Sequence, residues 1–131
     1  MKTALIARLR SDRGSAAVEF ALVAPLVLLV ALGVLQLTLA LHVRSTLTAA
    51  AAEGARAGAL AYSNPSFAER RTRAILSDAL GGGMATSIDA DRTMVGGVPV
   101  MRVRIIARLP LVGLMGPTAM TVEGHAMVER T

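Results

Sequence analysis

The side chain that most clearly requires a chemical explanation is a single carboxylate, Glu19, at the start of a long apolar stretch. No residue in the range 20–35 carries a charge or a strongly polar group, and only two polar residues interrupt the stretch before Leu41. An unpaired carboxylate is costly inside lipid. At the membrane surface, near a helix N-terminus, the macrodipole would favour the same charge. Glu19 is therefore either an interfacial carboxylate or one that meets a cation.

No other set of side chains has the spacing of a catalytic or metal site. The two histidines, His42 and His125, are far apart in the sequence, and the chain has no cysteine. This excludes thiolate sites and the usual zinc or iron ligand spacings. The glycines at 81–83 are not followed by the lysine of a phosphate-binding loop. Four carboxylates could cluster, but arginines opposite them would neutralise them: Asp89, Asp91, Glu123 and Glu129. We expect no enzyme activity, no cofactor and no small-molecule substrate.

Residues 20–41 are long enough to cross a bilayer as one helix. At about 1.5 Å per residue they rise roughly 33 Å, against a hydrocarbon core of about 30 Å. The apolar core of a secretory signal is shorter, about 7–15 residues. Four basic residues and one acid give the leader, residues 1–14, a net charge of +3 out of +5 for the chain. Basic residues beside a span favour a cytoplasmic N-terminus, so the C-terminal part is expected outside.

The residues around Glu19 also resemble a processing signal. A basic leader ends at Gly14, the carboxylate stands five positions later, and an aromatic residue precedes the apolar stretch. This arrangement resembles the N-termini of type IV-type prepilins. It is most similar to the TadE-like proteins of the tight-adherence (Flp) pilus system. The matching residues are Gly14-Ser15-Ala16-Ala17-Val18-Glu19-Phe20-Ala21-Leu22, with Pro25 shortly after.

The resemblance implies a structural subunit of a Flp-type pilus, a minor pilin or pseudopilin, with processing and assembly residues Gly14, Ser15, Glu19 and Phe20. A prepilin peptidase would cut after Gly14, and Glu19 would pair with the terminal amine of a neighbouring subunit. The implied partners are the lipid bilayer, the prepilin peptidase, and other pilin and pseudopilin subunits of the Tad system. The implied location is the bacterial inner membrane as a single-pass protein, with incorporation into an extracellular pilus. Ser15 lacks the bulky apolar side chain of many mature pilins, which leaves terminal methylation open.

Two other interpretations fit the same stretch. An uncleaved single-pass protein could carry an exported domain that binds or scaffolds a partner. A secreted binding module would instead require cleavage among the small residues 49–52. Nucleic-acid binding is not expected, because the net charge outside the leader is only +2 and the chain has too few aromatic residues to stack bases.

The helical pattern is predicted to continue beyond the membrane, giving one long helix over residues 15–61. In its outer half small residues recur every four positions, at Ala50, Gly54 and Gly58. We call these three residues the small-residue face. Such spacing lets another backbone approach closely. The face could pack within the protein's own domain, or also against neighbouring subunits.

Residues 62–131 are predicted to form an exported domain that opens with a second helix. Asn64 suits the N-cap and Pro65 the first helical position. The glycines at 81–83 are expected to end this helix near Leu80. One face of this helix is expected to pack on the rest of the domain. Three arginines on the helix are expected to face solvent, and contact with a partner is the alternative. The packed residues are Ala68, Thr72, Ile75, Leu76 and Ala79; the arginines are Arg70, Arg71 and Arg73.

The rest of the chain predicts a three-stranded antiparallel sheet. Two alternating segments flank Gly96-Gly97, a dipeptide that forms two-residue hairpin turns. The register set by this turn gives one charge-matched face and one apolar face. The predicted cross-strand pairs are Val95–Val98, Asp91–Arg102, Asp89–Arg104, Ala90–Val103 and Ile88–Ile105.

Residues 118–129 form the predicted third strand. An apolar loop at residues 109–117 precedes it and is expected to cover the core or to mark a contact. The predicted fold is therefore α+β. A long N-terminal transmembrane helix continues into a small pilin-like domain, in which a second helix and a three-stranded antiparallel sheet lie on its outer half.

Overall fold

The computed structural model describes the backbone of residues 2–62, 64–109 and 118–128, and their side chains from Gly14 onward except that of Thr86. Within these residues the chain forms two helices and one antiparallel sheet. The predicted α+β class, with its long N-terminal helix, second helix and three-stranded sheet, is confirmed. The elements are α1 (Lys2–Leu60), α2 (Pro65–Leu80), β1 (Ala85–Val95), β2 (Val98–Leu109) and β3 (Thr118–Met127).

The chain divides into two compact units, residues 1–37 and residues 38–131. In the first unit the backbone is helical from Lys2, so helical structure extends through the predicted leader. The leader's side chains before Gly14 lie outside the described residues. Helix α1 contains Pro25 and ends at Leu60, one residue before the predicted end.

In the second unit, α1, α2 and the sheet share one apolar core. The buried positions of α1 recur every three to four residues, as expected for one face of a helix. Several of them are alanines, which allow the neighbouring elements to approach α1 closely. The core residues are Val43, Leu47, Ala50, Ala51, Ala55 and Ala59 from α1, Ala68 and Leu76 from α2, and Met101, Val103, Ile105, Ala107, Leu109 and Val122 from the sheet.

Helix α2 has the two caps that its sequence predicts. The side chain of Asn64 accepts a hydrogen bond from the backbone N–H of Ser66 at 3.0 Å, and Pro65 occupies the first helical position. At the other end Gly81 has a φ of 75°, and its N–H donates to the carbonyl oxygen of Ser77 at 3.1 Å. Glycine adopts this positive φ without steric cost, which explains why the helix stops there.

The sheet has the strand order β1-β2-β3 and the predicted hairpin register. Gly96 and Gly97 form the turn with positive φ values of 58° and 79°. The predicted third strand ran to residue 129, whereas β3 ends at Met127 and Glu129 lies outside the described residues. The confirmed pairs between β1 and β2 are Val95–Val98, Asp91–Arg102, Asp89–Arg104, Ala90–Val103 and Ile88–Ile105.

Three details of the predicted domain differ from the structure or fall outside it. Ala79 was predicted on the packed face of α2 but is exposed, because the buried positions repeat every four residues through Ala68, Thr72 and Leu76. Met94, which the alternation of the first strand places on the apolar face of the sheet, is 60% exposed, because it lies beside the hairpin turn at the end of the strand. The apolar loop lies outside the described residues from position 110 onward.

A glycine in β3 allows the sheet to pack on α1. A Cβ added to Gly124 would overlap the carbonyl carbon of Ala51 and the amide nitrogen of Ala52. The strand therefore lies directly on the backbone of α1, where a side chain of any size would not fit. An isolated glycine inside a strand is a recognised signal of such close approach, but this contact was not predicted from the sequence.

Gly124→Ala should destabilise the second unit by about 1–3 kcal/mol, because the added methyl group forces β3 away from α1. Gly83→Ala is the matched control, since a Cβ at Gly83 meets open space. Protease susceptibility of the detergent-solubilised chain, followed as the temperature rises, measures the difference. Equal melting of the two variants would show that β3 does not lie on α1 as described.

Candidate functional site

The largest candidate site is the apolar surface of α1. Every large apolar side chain between Val18 and Leu41 is exposed, with exposed fractions from 42% for Leu39 to 73% for Phe20. No described part of the chain buries this surface. By length and composition α1 is the one helix among the described residues that could cross a membrane, over Gly14–Leu60.

The four predicted processing and assembly residues lie at the start of this surface. Gly14, Ser15, Glu19 and Phe20 are all helical and all exposed. Ser15 and Glu19 are four residues apart, so they lie on the same face of the helix. A Cβ added to Gly14 would meet no atom within 4 Å. The backbone at this position is thus sterically open, and Glu19 forms no ion pair with a described residue.

The small-residue face packs against α2 of the same chain. A Cβ added to Gly54 would overlap the side chain of Thr72, and one added to Gly58 would overlap Ala68. Ala50 is 1% exposed in the same core. Thr72 donates a hydrogen bond to the carbonyl oxygen of Ala68 at 2.8 Å, which satisfies its buried hydroxyl group. Contact of this face with neighbouring subunits stays a prediction.

The solvent-facing side of the sheet carries a second cluster of functional groups. Arg102 donates to Asp91 through two nitrogens, with Nε–Oδ1 at 2.9 Å and Nη2–Oδ2 at 2.7 Å. Arg104 Nε donates to Glu123 Oε1 at 2.6 Å. The hydrogen bond from Arg102 lowers the pKa of Asp91 and raises that of Arg102, while the bond from Arg104 lowers the pKa of Glu123. Both carboxyl groups are therefore poor candidates for a general acid at neutral pH.

The partner of Arg104 differs from the one that the hairpin suggested. Asp89 lies opposite Arg104, but its carboxylate instead accepts a hydrogen bond from the Ser87 hydroxyl at 2.6 Å. Because β2 is the central strand, Arg104 also lies opposite Glu123 on β3, and it pairs there. The register between β2 and β3 was not predicted, because a long connection between two strands does not determine their register.

A glutamate on α2 was also missed. Glu69 Oε1 accepts the backbone N–H of Ala90 on β1 at 3.2 Å. Strand β1 is an edge strand, so this contact occupies a donor that would otherwise be free to pair with another strand. No local sequence signal marks such a contact, which joins residues 21 positions apart. Among the described residues, no three His, Cys, Asp or Glu side chains are grouped as metal ligands would be.

Comparison with known proteins identifies the N-terminal part of the chain. The family model described as TadE-like protein matches residues 14–56, about a third of the chain. The match begins at Gly14 and contains Glu19, the apolar surface and the first part of the small-residue face. The resemblance to TadE-like proteins predicted from the sequence is confirmed. Neither a curated protein nor a solved structure matches the chain.

The two lowered pKa values predict a loss of stability in acid. A carboxyl group whose pKa is lower in the folded than in the unfolded state stabilises the fold fully above its ordinary pKa of about 4. This contribution disappears as the pH falls through the lower folded value. Asp91→Asn removes one such group, so its melting temperature should fall less than that of the unmodified chain between about pH 5 and pH 2.

Asp89→Asn is the control for that measurement, because Asp89 lies on the same strand as Asp91 but its carboxylate accepts a hydrogen bond from Ser87 and none from an arginine. Because Asp89→Asn leaves the pair of Asp91 and Arg102 in place, its melting temperature should still fall on acidification. If Asp89→Asn and Asp91→Asn flatten the profile equally, the pairing of Asp91 with Arg102 is not the cause.

Proposed function

We propose that this chain is a TadE-like minor pilin or pseudopilin that acts as a structural subunit in the assembly of a Flp-type, tight-adherence pilus. The observation that carries the proposal is the occurrence of two features on one segment. The TadE-like match covers residues 14–56, and the uncovered apolar surface lies within the same range. The role is structural and supports surface adhesion.

The apolar surface supports membrane anchoring as the first step. Residues 20–41 have the length of a hydrocarbon core and expose their apolar side chains on all sides of the helix. The basic leader then sets the orientation, because basic residues are retained on the cytoplasmic side. The proposed location is the bacterial inner membrane, with the N-terminus in the cytoplasm and residues 62–131 outside.

Gly14 supports processing as the second step. Its exposed position and the open space around it leave the backbone accessible to a prepilin peptidase. Glycine also places no side chain between the cleaved bond and the enzyme. A cut after Gly14 makes Ser15 the new terminus and removes the basic leader.

Glu19 supports assembly as the third step. After the cut, a lone carboxylate near the entrance of the apolar segment would be costly in a low-dielectric environment. The terminal amine of a neighbouring subunit supplies the compensating charge. Because the apolar surface is uncovered and the small-residue face is occupied by α2, we place the contacts between subunits along residues 18–41.

Gly14→Leu should abolish removal of the leader, because the leucine side chain blocks the backbone at the cleavage point. The assay coexpresses each variant with its prepilin peptidase and determines the N-terminus. The unmodified protein should begin Ser15-Ala16-Ala17, and Gly14→Leu should begin at Met1. Gly33→Leu is the matched control and should be processed normally, since Gly33 is another glycine of α1 with open space around it.

If the unmodified chain keeps residues 1–14 in the presence of active peptidase, this result would contradict the pilin proposal. It would favour the alternative of an uncleaved single-pass protein whose exported domain binds or scaffolds a partner.

Glu19→Gln should leave processing intact and reduce incorporation tenfold or more, because truncating one partner of a buried charge pair costs about 2–5 kcal/mol. Immunoblotting of sheared pili and of crosslinked membrane complexes measures incorporation. Glu19→Asp keeps the charge and should retain part of the incorporation. Glu53→Gln is the control, as an exposed glutamate on the same helix outside the apolar segment. Normal incorporation of Glu19→Gln would exclude the charge pair.

A further inference from the structure

A cavity of about 300 Å³ opens in the second unit between α1, the C-terminal half of α2 and the start of β1. Its most buried walls are formed by Leu47 and Leu76, which are 0% and 4% exposed. Three half-buried apolar side chains line it closer to solvent, those of Leu80, Met84 and Ile88. An apolar cavity of about 150 Å³ is enough to bind benzene. This cavity therefore has room for one aromatic or branched apolar side chain.

The polar groups of the cavity are few and carry charge of one sign. Arg73 lines it from α2 and is exposed, and Ser77 follows one turn later. No acidic side chain is among the described lining residues. Arg73 forms no ion pair with a described residue, in contrast to Arg71, which lies 3.9 Å from Glu53. The guanidinium group of Arg73 is thus available to a carboxylate that lies beside the cavity.

An apolar cavity next to an available arginine is the arrangement that anchors a protein partner. Such interfaces depend on a large apolar side chain that fills a pocket, and charged groups at the rim select the partner. The partner has to bring the carboxylate, because Asp91 and Glu123 of the sheet already pair with arginines. A second copy of this chain could supply those two carboxylates only by breaking its own pairs.

We propose that this cavity docks an acidic segment of a partner protein. One phenylalanine or leucine side chain of the segment enters between Leu47, Leu76 and Leu80, and a neighbouring carboxylate meets Arg73. Arginine suits this role because its planar guanidinium group binds the two oxygens of a carboxylate together. The docking site requires only the described second unit, so it is independent of the processing and assembly proposed above.

Peptide binding to the full chain in phosphatidylcholine nanodiscs tests the site. The probe is an end-blocked peptide with one phenylalanine and one glutamate two positions apart, because alternate residues of an extended segment face the same side. Two matched peptides replace the phenylalanine by alanine or the glutamate by glutamine. Loss of the phenylalanine should weaken binding about tenfold or more. Loss of the glutamate should weaken it about threefold, the change expected for one partly exposed ion pair.

A double-mutant cycle between peptide and protein identifies the arginine. In Arg73→Gln the glutamate and glutamine peptides should bind equally, because the partner of the carboxylate is gone. Arg70→Gln is the matched control and should keep the threefold preference, since Arg70 is an exposed arginine of α2 that lies over the Phe67 ring at 5.9 Å and does not line the cavity. Ser77→Leu, which fills the cavity from an exposed helix position, should remove the advantage of the phenylalanine peptide.

Equal binding of the phenylalanine and alanine peptides would overturn the cavity as an anchor site. A glutamate preference that survives in Arg73→Gln, or that is lost equally in Arg70→Gln, would overturn the charge contact. If Ser77→Leu abolishes crosslinks between copies of the chain, the occupant is a second copy and the proposed partner is wrong. None of these assays measures removal of the leader at Gly14, so their failure would leave the pilin proposal standing.

Discussion

The apolar side chains of α1 between Val18 and Leu41 cannot remain in water, and no described residue of the chain covers them. Burial of apolar surface contributes about 25 cal/mol per Å², so a helix that is apolar on every side requires a surrounding partner. In the proposed function, lipid would satisfy this requirement first, and the apolar helices of neighbouring subunits would satisfy it after assembly. This single constraint accounts for the basic leader, for the uninterrupted composition of residues 20–35, and for the isolation of Glu19.

The second unit obeys the opposite constraint, because it has to be compact without disulfides and with no aromatic side chain among its described core residues. Alanine and glycine provide the solution, since Gly54 and Gly124 allow α2 and β3 to approach the α1 backbone closely. The sheet then keeps its charges on the solvent-facing side, where Arg102 and Arg104 of the central strand pair with carboxylates on different neighbours. These pairs specify the strand register more than they stabilise the unit.

Much of the fold was predictable because local rules fix it. The Gly96-Gly97 turn determines the register of β1 against β2, and Asn64 and Gly81 determine the ends of α2. The missed contacts, Arg104 with Glu123 and Glu69 with Ala90, depend on how segments far apart in the chain meet, which local pattern does not encode. The candidate site shows the same division. Residues 14–20 form a motif that can be recognised in the sequence, whereas any contact with other subunits would depend on molecules outside this chain.

The most direct test of the central claim is the behaviour of the native protein when its membranes are extracted with alkaline carbonate and no detergent. The account predicts that the protein stays in the membrane pellet and is released only by detergent, because residues 20–41 are embedded in lipid. Recovery of a detergent-free, soluble monomer that still carries its basic leader would contradict it.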